Sequence, residues 1–532
     1  MDFISVTFMI FILILICLYF LVPDKYKWMV LLAGSYVFYA FSGIKLMIFL
    51  IFTTGVTFVS GRKLGDINEE SSRYLKEHKA DLTRDEKKQY KSQITARKKR
   101  IVTAAVVVNL GILIFLKYFN FIAKNINLVI GQFGVTEKVP LLNLLLPLGI
   151  SFYTLQSIAY IVDLYRGKYQ ADRNFLKFAL FMSFFPQIIQ GPIARYDQLA
   201  SQLYEPHKFD YTRVTQGFQL VLWGYMKKLI LADRLAVAVN FIFDDPAPHE
   251  GFILFFAAAG YGLQVYADFS GGMDIARGVS QVLGIELALN FERPYFAKSV
   301  EEFWRRWHIT LGSWMRDYVF YPLSLSKNFA NLGKRTRKIF GNYIGKKLPT
   351  FLSMFIVFLL VGVWHGSSWK YVAYGIWNGV IIVSSILLEP VYQKMAQKCG
   401  MDTESAGWKF FQMFRTFVLC SFGRFFSRGK TCMKAIDMFI RALAFPNPWV
   451  FFNGGFLNFG LSYKDYNVIF ISILVLLVVG IMQERGVHIR EKIAEQHICF
   501  RWVIYLGAVL TLLVFGYYGG GYSASEFIYQ QF

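Results

Sequence analysis

Seven histidines occur in the 532-residue chain, and two of them, His308 and His365, stand among apolar and aromatic neighbours. The remainder (His78, His207, His249, His488 and His497) lie in polar connecting sequence. The two apolar settings read Phe303-Trp304-Arg305-Arg306-Trp307-His308-Ile309-Thr310-Leu311-Gly312 and Gly362-Val363-Trp364-His365-Gly366. An ionisable side chain at membrane depth is costly to bury, so it needs a partner or a chemical task. A neutral imidazole that titrates near the operating pH is the usual general base for activating a hydroxyl. The chain contains no G-x-S-x-G elbow, no H-E-x-x-H pair and no G-x-x-x-x-G-K-[ST] loop. Its Gly260-Tyr261-Gly262 is too short a pattern to cradle phosphate. Two histidines, even joined by Asp268, fall short of a usual metal-ligand set, so no metal is expected. Direct acyl transfer from a thioester to a hydroxyl, with His365 as base, fits the available groups best.

The elements that must position these rings are legible in outline. Ser299-Val300-Glu301-Glu302 has the form of a capping box, which satisfies orphan backbone donors at a helix start. The helix it opens is expected to run to about Tyr321, with Pro322 stopping it. On such a helix His308 shares a face with Trp304, Arg305, Leu311 and Gly312. Trp304, Trp307 and Trp314 are alternatively read as interfacial anchors. Pro349 is expected to begin the helix that carries His365. The eighteen residues from Lys347 to His365 cover at most ~27 Å of helix, which places His365 well inside the bilayer or near its far side. Gly366-Ser367-Ser368 then predicts a break. Broken helices at membrane depth line water-filled or substrate-filled cavities, because only there are their backbone groups satisfied.

Composition sets the fold class. The chain is 55% hydrophobic and 18% aromatic, and apolar runs of roughly 18 residues or more recur, each able to cross a ~30 Å hydrocarbon layer. An all-α polytopic membrane protein is expected, with about eleven transmembrane helices plus re-entrant segments. The runs fall at Phe3–Val22, Lys27–Gly61, Ile101–Ala123 and from Pro140 to about Asp163, then near 216–243, 251–267, 350–364, 370–389, 410–423, 467–483 and 502–520. Asp2 precedes the first run, which is too long for a signal-peptide core, so it is read as a retained helix. Phe175–Arg195 is apolar but interrupted by Pro186, Gly191 and Pro192. It is read as a bent or re-entrant segment bringing Gln190 and Arg195 to a cavity. No soluble domain or linker is visible, so residues 1–532 are expected to form one membrane domain.

The net charge of +22 raises nucleic acid as a partner, but its distribution argues for the membrane instead. Residues 62–100 carry thirteen Lys/Arg against seven Asp/Glu, and residues 327–347 carry seven Lys/Arg with no acid. An excess of Lys/Arg marks cytoplasmic loops, and both stretches are read as such, with 62–100 expected to form exposed helix. A positive face of this kind also gathers anionic lipids or a phosphorylated donor. The five cysteines (Cys17, Cys399, Cys420, Cys432 and Cys499) show no C-x-x-C spacing and imply neither disulfides nor zinc.

Several segments together resemble the membrane-bound O-acyltransferases, within them the alginate O-acetyltransferase type. They are Pro147-Leu148-Gly149-Ile150-Ser151-Phe152-Tyr153-Thr154-Leu155-Gln156, Gln190-Gly191-Pro192-Ile193-Ala194-Arg195, Tyr266-Ala267-Asp268-Phe269-Ser270-Gly271 and Asn290-Phe291-Glu292-Arg293-Pro294-Tyr295. Phe303-Trp304-Arg305-Arg306-Trp307-His308, Val363-Trp364-His365-Gly366 and the closing Phe527-Ile528-Tyr529-Gln530-Gln531-Phe532 continue the match, in order, along nearly the whole chain. The chain departs from that type at Gly423-Arg424-Phe425-Phe426-Ser427-Arg428, where a Trp and fewer charges are expected, and at Asn378, which stands where a His is expected.

The resemblance implies a ring of tilted helices around a central funnel or tunnel, with His365 as the catalytic histidine and His308 as the second motif histidine. It implies a multi-pass protein of the cell membrane that moves acetyl groups from a cytoplasmic thioester donor towards a cell-surface polysaccharide. Acetyl-CoA is the expected donor, with no cofactor bound, and a separate extracytoplasmic acetyltransferase is the expected partner. The alternative is D-alanyl transfer to teichoic acid from an acyl group on a phosphopantetheine carrier protein. Trp304, Arg305, Asp268, Ser270, Asn290, Gln190 and Arg195 are the expected substrate-side residues. For Asp268, Ser270 and Asn290, capping and helix packing explain the residue types equally well. Arg195 and Arg305 either hold a donor phosphate or carboxylate or pair with an acid such as Asp268. From other classes, a transporter relaying protons through intramembrane His and Asp, or a scaffold for the partner enzyme, stands as a rival; no repeat symmetry supports the transporter.

Overall fold

Helix formation is dictated by the solvent: in hydrocarbon, every backbone N–H and C=O must be satisfied within the segment. A computed structural model describes residues 1–134, 136–188 and 191–518. Its regular elements are helices, joined among the described residues by an isolated bridge between Phe291 and Trp307. They divide into two compact units, Met1–Val214 with Val279–Ala288, and Thr215–Gly278 with Leu289–Phe532.

The first unit contains α1 (Val6–Leu21), α2 (Lys27–Ala40), α3 (Met47–Glu77), α4 (Arg84–Gln132), α5 (Ile150–Arg166), α6 (Phe175–Ser183), the single turn α7 (Phe185–Ile188) and α8 (Tyr196–Tyr204). A buried polar knot ties three of them: Thr57 on α3 and Ser157 on α5 share a 2.5 Å hydrogen bond, and Asn109 on α4 donates to Ser157 at 2.6 Å. Such bonds act as interhelical glue where lipid offers no hydrophobic driving force. The interruption read at Pro186 is present. Beyond the end of α6, the Phe185 N–H turns to Ser35 Oγ, and the Phe181 carbonyl accepts from the side-chain amides of Gln156 and Gln187, each at 2.9 Å. The backbone groups released by the bend are thereby repaid by side chains. Gly149 opens α5 at φ 68°, and a Cβ there would meet the Ile188 carbonyl oxygen at 2.1 Å, so only glycine fits.

The second unit takes α9 (Tyr211–Tyr225) from Thr215 onward, α10 (Asp233–Asp244), α11 (Gly251–Val282) as far as Gly278, α12 (Val300–Arg306), α13 (Ile309–Met315), α14 (Tyr321–Ser324), α15 (Lys327–His365) and α16 (Trp369–Lys398). It continues with α17 (Ala406–Arg428), α18 (Cys432–Ala444), α19 (Tyr463–Glu484), α20 (Ile489–Ala494) and α21 (Ile498–Phe515). Between α9 and α10 the chain winds as a π-helix, Met226–Ala232. Leu231 and Ala232 of that turn bury against Leu235, Ala267 and Ile469. α15 and α16 form a tight hairpin: a Cβ on Gly362 would lie 2.3 Å from the Tyr371 carbonyl oxygen, and one on Gly375 would lie 2.6 Å from that of Phe358.

Among the described residues, seven helices are long and apolar enough to cross a membrane: Ile44–Glu77, α4, α11, α15, α16, α19 and α21. α1 is apolar but has 16 residues, and the other apolar runs, expected to bring the crossings to about eleven, are divided among shorter or more polar helices. Two expected elements differ. The helix opened by Ser299 ends at Arg306 and a second begins at Ile309, so residues 300–321 are not continuous helix. Pro349 lies inside α15, whose non-helical point is Gly341 at φ 73°. The basic stretch 327–347, read as a loop, is therefore mostly helical. Its counterpart at 62–100 is helical on both sides of a turn.

Candidate active site

The backbone around His308 is set by a short extended pairing rather than by a helix. Glu292 N–H donates to the Arg306 carbonyl at 2.9 Å, and Ile309 N–H donates to the Asn290 carbonyl at 3.1 Å. Between these two anchors His308 adopts φ 48°, ψ 51°, a left-handed conformation uncommon for a residue with a Cβ. Such strain persists only where the surroundings over-determine it. The break removes His308 from the helical face expected to carry Trp304, Arg305 and Leu311.

Asn290 then fixes the ring. Its Oδ1 accepts from the Thr310 N–H at 2.9 Å and from the Thr310 hydroxyl at 2.8 Å, which settles it as the oxygen. His308 Nδ1 faces the same oxygen at 3.4 Å, so this nitrogen carries the hydrogen. Phe269 of α11 stands edge-on to the imidazole, with ring centres 5.0 Å apart.

His365 arrives from a different element, as the last residue of α15, and the chain leaves the helix at Gly366. The indole of Trp364 lies edge-on to both imidazoles, 5.7 Å from His308 and 5.1 Å from His365. The two rings thus pack against the same aromatic side chain, and both residues are buried. Tyr374, in the second turn of α16, closes the His365 side at 6.0 Å. Trp304 joins the same cluster: its indole N–H donates to Asn378 Oδ1 at 3.1 Å, and its ring packs on Phe358 and Tyr374. Asn378 in turn donates to the Tyr374 carbonyl at 2.8 Å. Arg424 of α17 lies buried over the Trp307 ring at 4.8 Å and reaches the Tyr374 hydroxyl at 3.5 Å.

The remaining predicted residues have other settings. Asp268 pairs with Lys228 at 2.7 Å, and Lys228 also holds Asp233 at 2.9 Å. Ser270 accepts from Lys227 at 2.8 Å, and Lys227 pairs with Asp274 at 2.7 Å. Both residues are thus tied to π-helix lysines, a partner that sequence reasoning did not assign. Arg305 is 66% exposed in its side chain and pairs with Glu301, one turn back. Arg195 belongs to the first unit, where it is buried at the start of α8. Gln190 lies outside the described residues. No three His, Cys, Asp or Glu side chains gather as a metal site among the described residues.

Residues 170–422, which include both histidines, match the profile described as MBOAT, membrane-bound O-acyltransferase family. A probable alginate O-acetylase, AlgI, of Pseudomonas putida is 31% identical over 439 residues, 82% of this chain and 78% of that protein. The chain belongs to the membrane-bound O-acyltransferase family. The probable alginate O-acetylase AlgI of Azotobacter vinelandii is 33% identical over 378 residues, 70% of this chain and 66% of its own length. The match therefore spans just under two thirds of that relative. A peptidoglycan O-acetyltransferase of Helicobacter pylori is 31% identical over 319 residues, 55% of this chain and 56% of its own length. With seven apolar helices among its described residues, this family member is a multi-pass membrane protein.

The residues missed by sequence reasoning left unequal traces. Lys227-Lys228 interrupts an apolar run, and intramembrane charge is itself a signal. Arg424 lies in the stretch that departs from the family pattern. Tyr374 is one of 31 tyrosines and carries no mark of its own.

Proposed function

We propose that this protein is a membrane O-acyltransferase that moves acetyl groups from a cytoplasmic thioester donor, acetyl-CoA, for O-acetylation of a cell-surface polysaccharide. The observation that carries the reading is that His308 and His365, from different elements, both pack edge-on against the Trp364 indole, within the segment that matches the family. The names of the relatives support the acetyl group and a polysaccharide acceptor.

In this reading His365 is the general base. It takes the proton of the acceptor hydroxyl as the hydroxyl oxygen attacks the thioester carbonyl carbon. The tetrahedral intermediate then collapses, the C–S bond breaks, and the leaving thiolate receives that proton. His308, held by Asn290 in one orientation, keeps its other ring nitrogen as an acceptor that polarises or positions the substrate. The family resemblance implies an extracytoplasmic acetyltransferase that completes transfer to the polymer.

The test supplies radiolabelled acetyl-CoA or, in parallel, D-alanyl carrier protein to proteoliposomes holding wild type, His365→Gln or His365→Ala. Acetyl transfer by wild type, reduced by at least about a hundredfold in both variants, is expected. Transfer surviving in His365→Gln removes that residue from the mechanism. Label taken only from the carrier protein changes the acyl group to D-alanyl, and flux of label without covalent transfer favours a transporter.

A further inference from the structure

The hairpin of α15 and α16 returns Tyr374 to the side of His365, and three further contacts converge on that tyrosine. Trp304 packs on its ring, Asn378 holds its carbonyl, and the Arg424 guanidinium reaches its hydroxyl. We infer that the Tyr374 hydroxyl is a catalytic hydrogen-bond donor to the reacting acyl oxygen and that Arg424 is the residue that positions it. The inference rests on the acyl-transfer reading above and adds to it a group for the charge that reading leaves on oxygen.

The chemistry requires such a group. When the acceptor oxygen bonds to the thioester carbon, the carbonyl π pair moves onto oxygen, and an oxyanion forms in an apolar site. A donor already aimed at that oxygen is worth more there than in water, because it needs no reorganisation as charge develops. His365 cannot serve in that step, since it is taking the proton of the attacking hydroxyl. Tyr374 carries its hydroxyl on a ring packed against His365, edge to face at 6.0 Å.

Arg424 determines which way the phenol works. A guanidinium only donates, so in its contact with Tyr374 the phenol oxygen is the acceptor. That arrangement leaves the phenolic hydrogen to be donated elsewhere, and a phenol that accepts from a cation is polarised into a stronger donor. Arg424 is itself anchored over the Trp307 indole, next to the turn that sets His308. The guanidinium is thus fixed in direction as well as in charge, which a lysine at this place would not reproduce. On collapse the oxyanion pair re-forms the C=O bond, the C–S bond breaks, and Tyr374 keeps its proton throughout.

The experiment compares wild type, Tyr374→Phe, Arg424→Lys and the double variant in the proteoliposome assay, reading kcat and KM for whichever thioester wild type uses. Melting in detergent is followed in parallel. Tyr374→Phe keeps the ring and its packing. It is expected to lower kcat by about 10²–10³-fold while KM changes by less than about threefold. Arg424→Lys is expected to lower kcat by about tenfold or more, and to add nothing in the Tyr374→Phe background, because it acts through the hydroxyl. Full kcat in Tyr374→Phe, or an Arg424→Lys loss that multiplies with it at unchanged melting, overturns the inference alone. A wild type that transfers no acyl group from either thioester overturns this inference and the reading beneath it.

Discussion

One oxygen, Asn290 Oδ1, serves the Thr310 N–H, the Thr310 hydroxyl and His308 Nδ1. Replacing Asn290 by Ala strands a buried backbone donor and releases the imidazole. A stability loss of ~1–3 kcal/mol is expected, together with at least a tenfold fall in transfer. An Asn290→Ala protein that melts and turns over like wild type would show that His308 is held by something else. The backbone at His308 permits a separate check. At φ 48° a Cβ is strained and a glycine is not. His308→Gly should therefore be more stable than His308→Ala by about 1 kcal/mol, although both lose the ring. Equal melting of the two variants would mean that the left-handed turn carries no strain.

At the scale of elements, α11 is clamped by the π-helix that joins α9 to α10. Lys228 holds Asp268 and Asp233, Lys227 holds Ser270 and Asp274, and Phe269 stands between the clamped residues with its ring against His308. Lys228→Met would leave two buried carboxylates without their shared cation, at a cost of ~3–5 kcal/mol. In the Lys228→Met/Asp268→Asn double variant part of that loss should return, because one stranded charge has been removed. No recovery of detergent melting in the double variant would contradict a charge-pairing role. Sequence reading singled out Asp268 and Ser270 as substrate-side residues and did not assign the lysines that hold them, since two adjacent lysines inside an apolar run resemble a helix end. The break after Gly366 was legible because Gly-Ser-Ser is local. The break at Trp307-His308 was not, because it is imposed by Asn290 and Glu292, some sixteen residues earlier in the chain. Likewise the capping box marked where α12 starts and carried no information about where it stops.

Across the molecule, helix length and charge together decide orientation. α4 has 49 residues, about 74 Å of helix, more than twice the thickness of a ~30 Å hydrocarbon core. Its charged first half must therefore project from the membrane, on the same side as the charged end of α3, to which a turn of only six residues joins it. The first half of α15 is similarly basic, carrying Lys334, Arg335, Arg337 and Lys338. Each Lys or Arg near an anionic leaflet gains about 1 kcal/mol, and on that ground we propose, for each region by itself, that it faces the cytoplasm. Single cysteines introduced at the exposed positions Ser72 and Asn331, with the five native cysteines replaced by alanine, should react with an impermeant maleimide in inverted vesicles and not in intact cells. Reaction of either position in intact cells would break the assignment of its own region. Reaction of Asn331 in intact cells would also remove the basis for the proposed cytoplasmic thioester approaching His365 along α15, because the ~27 Å from Lys347 to that imidazole would then be measured from the wrong face.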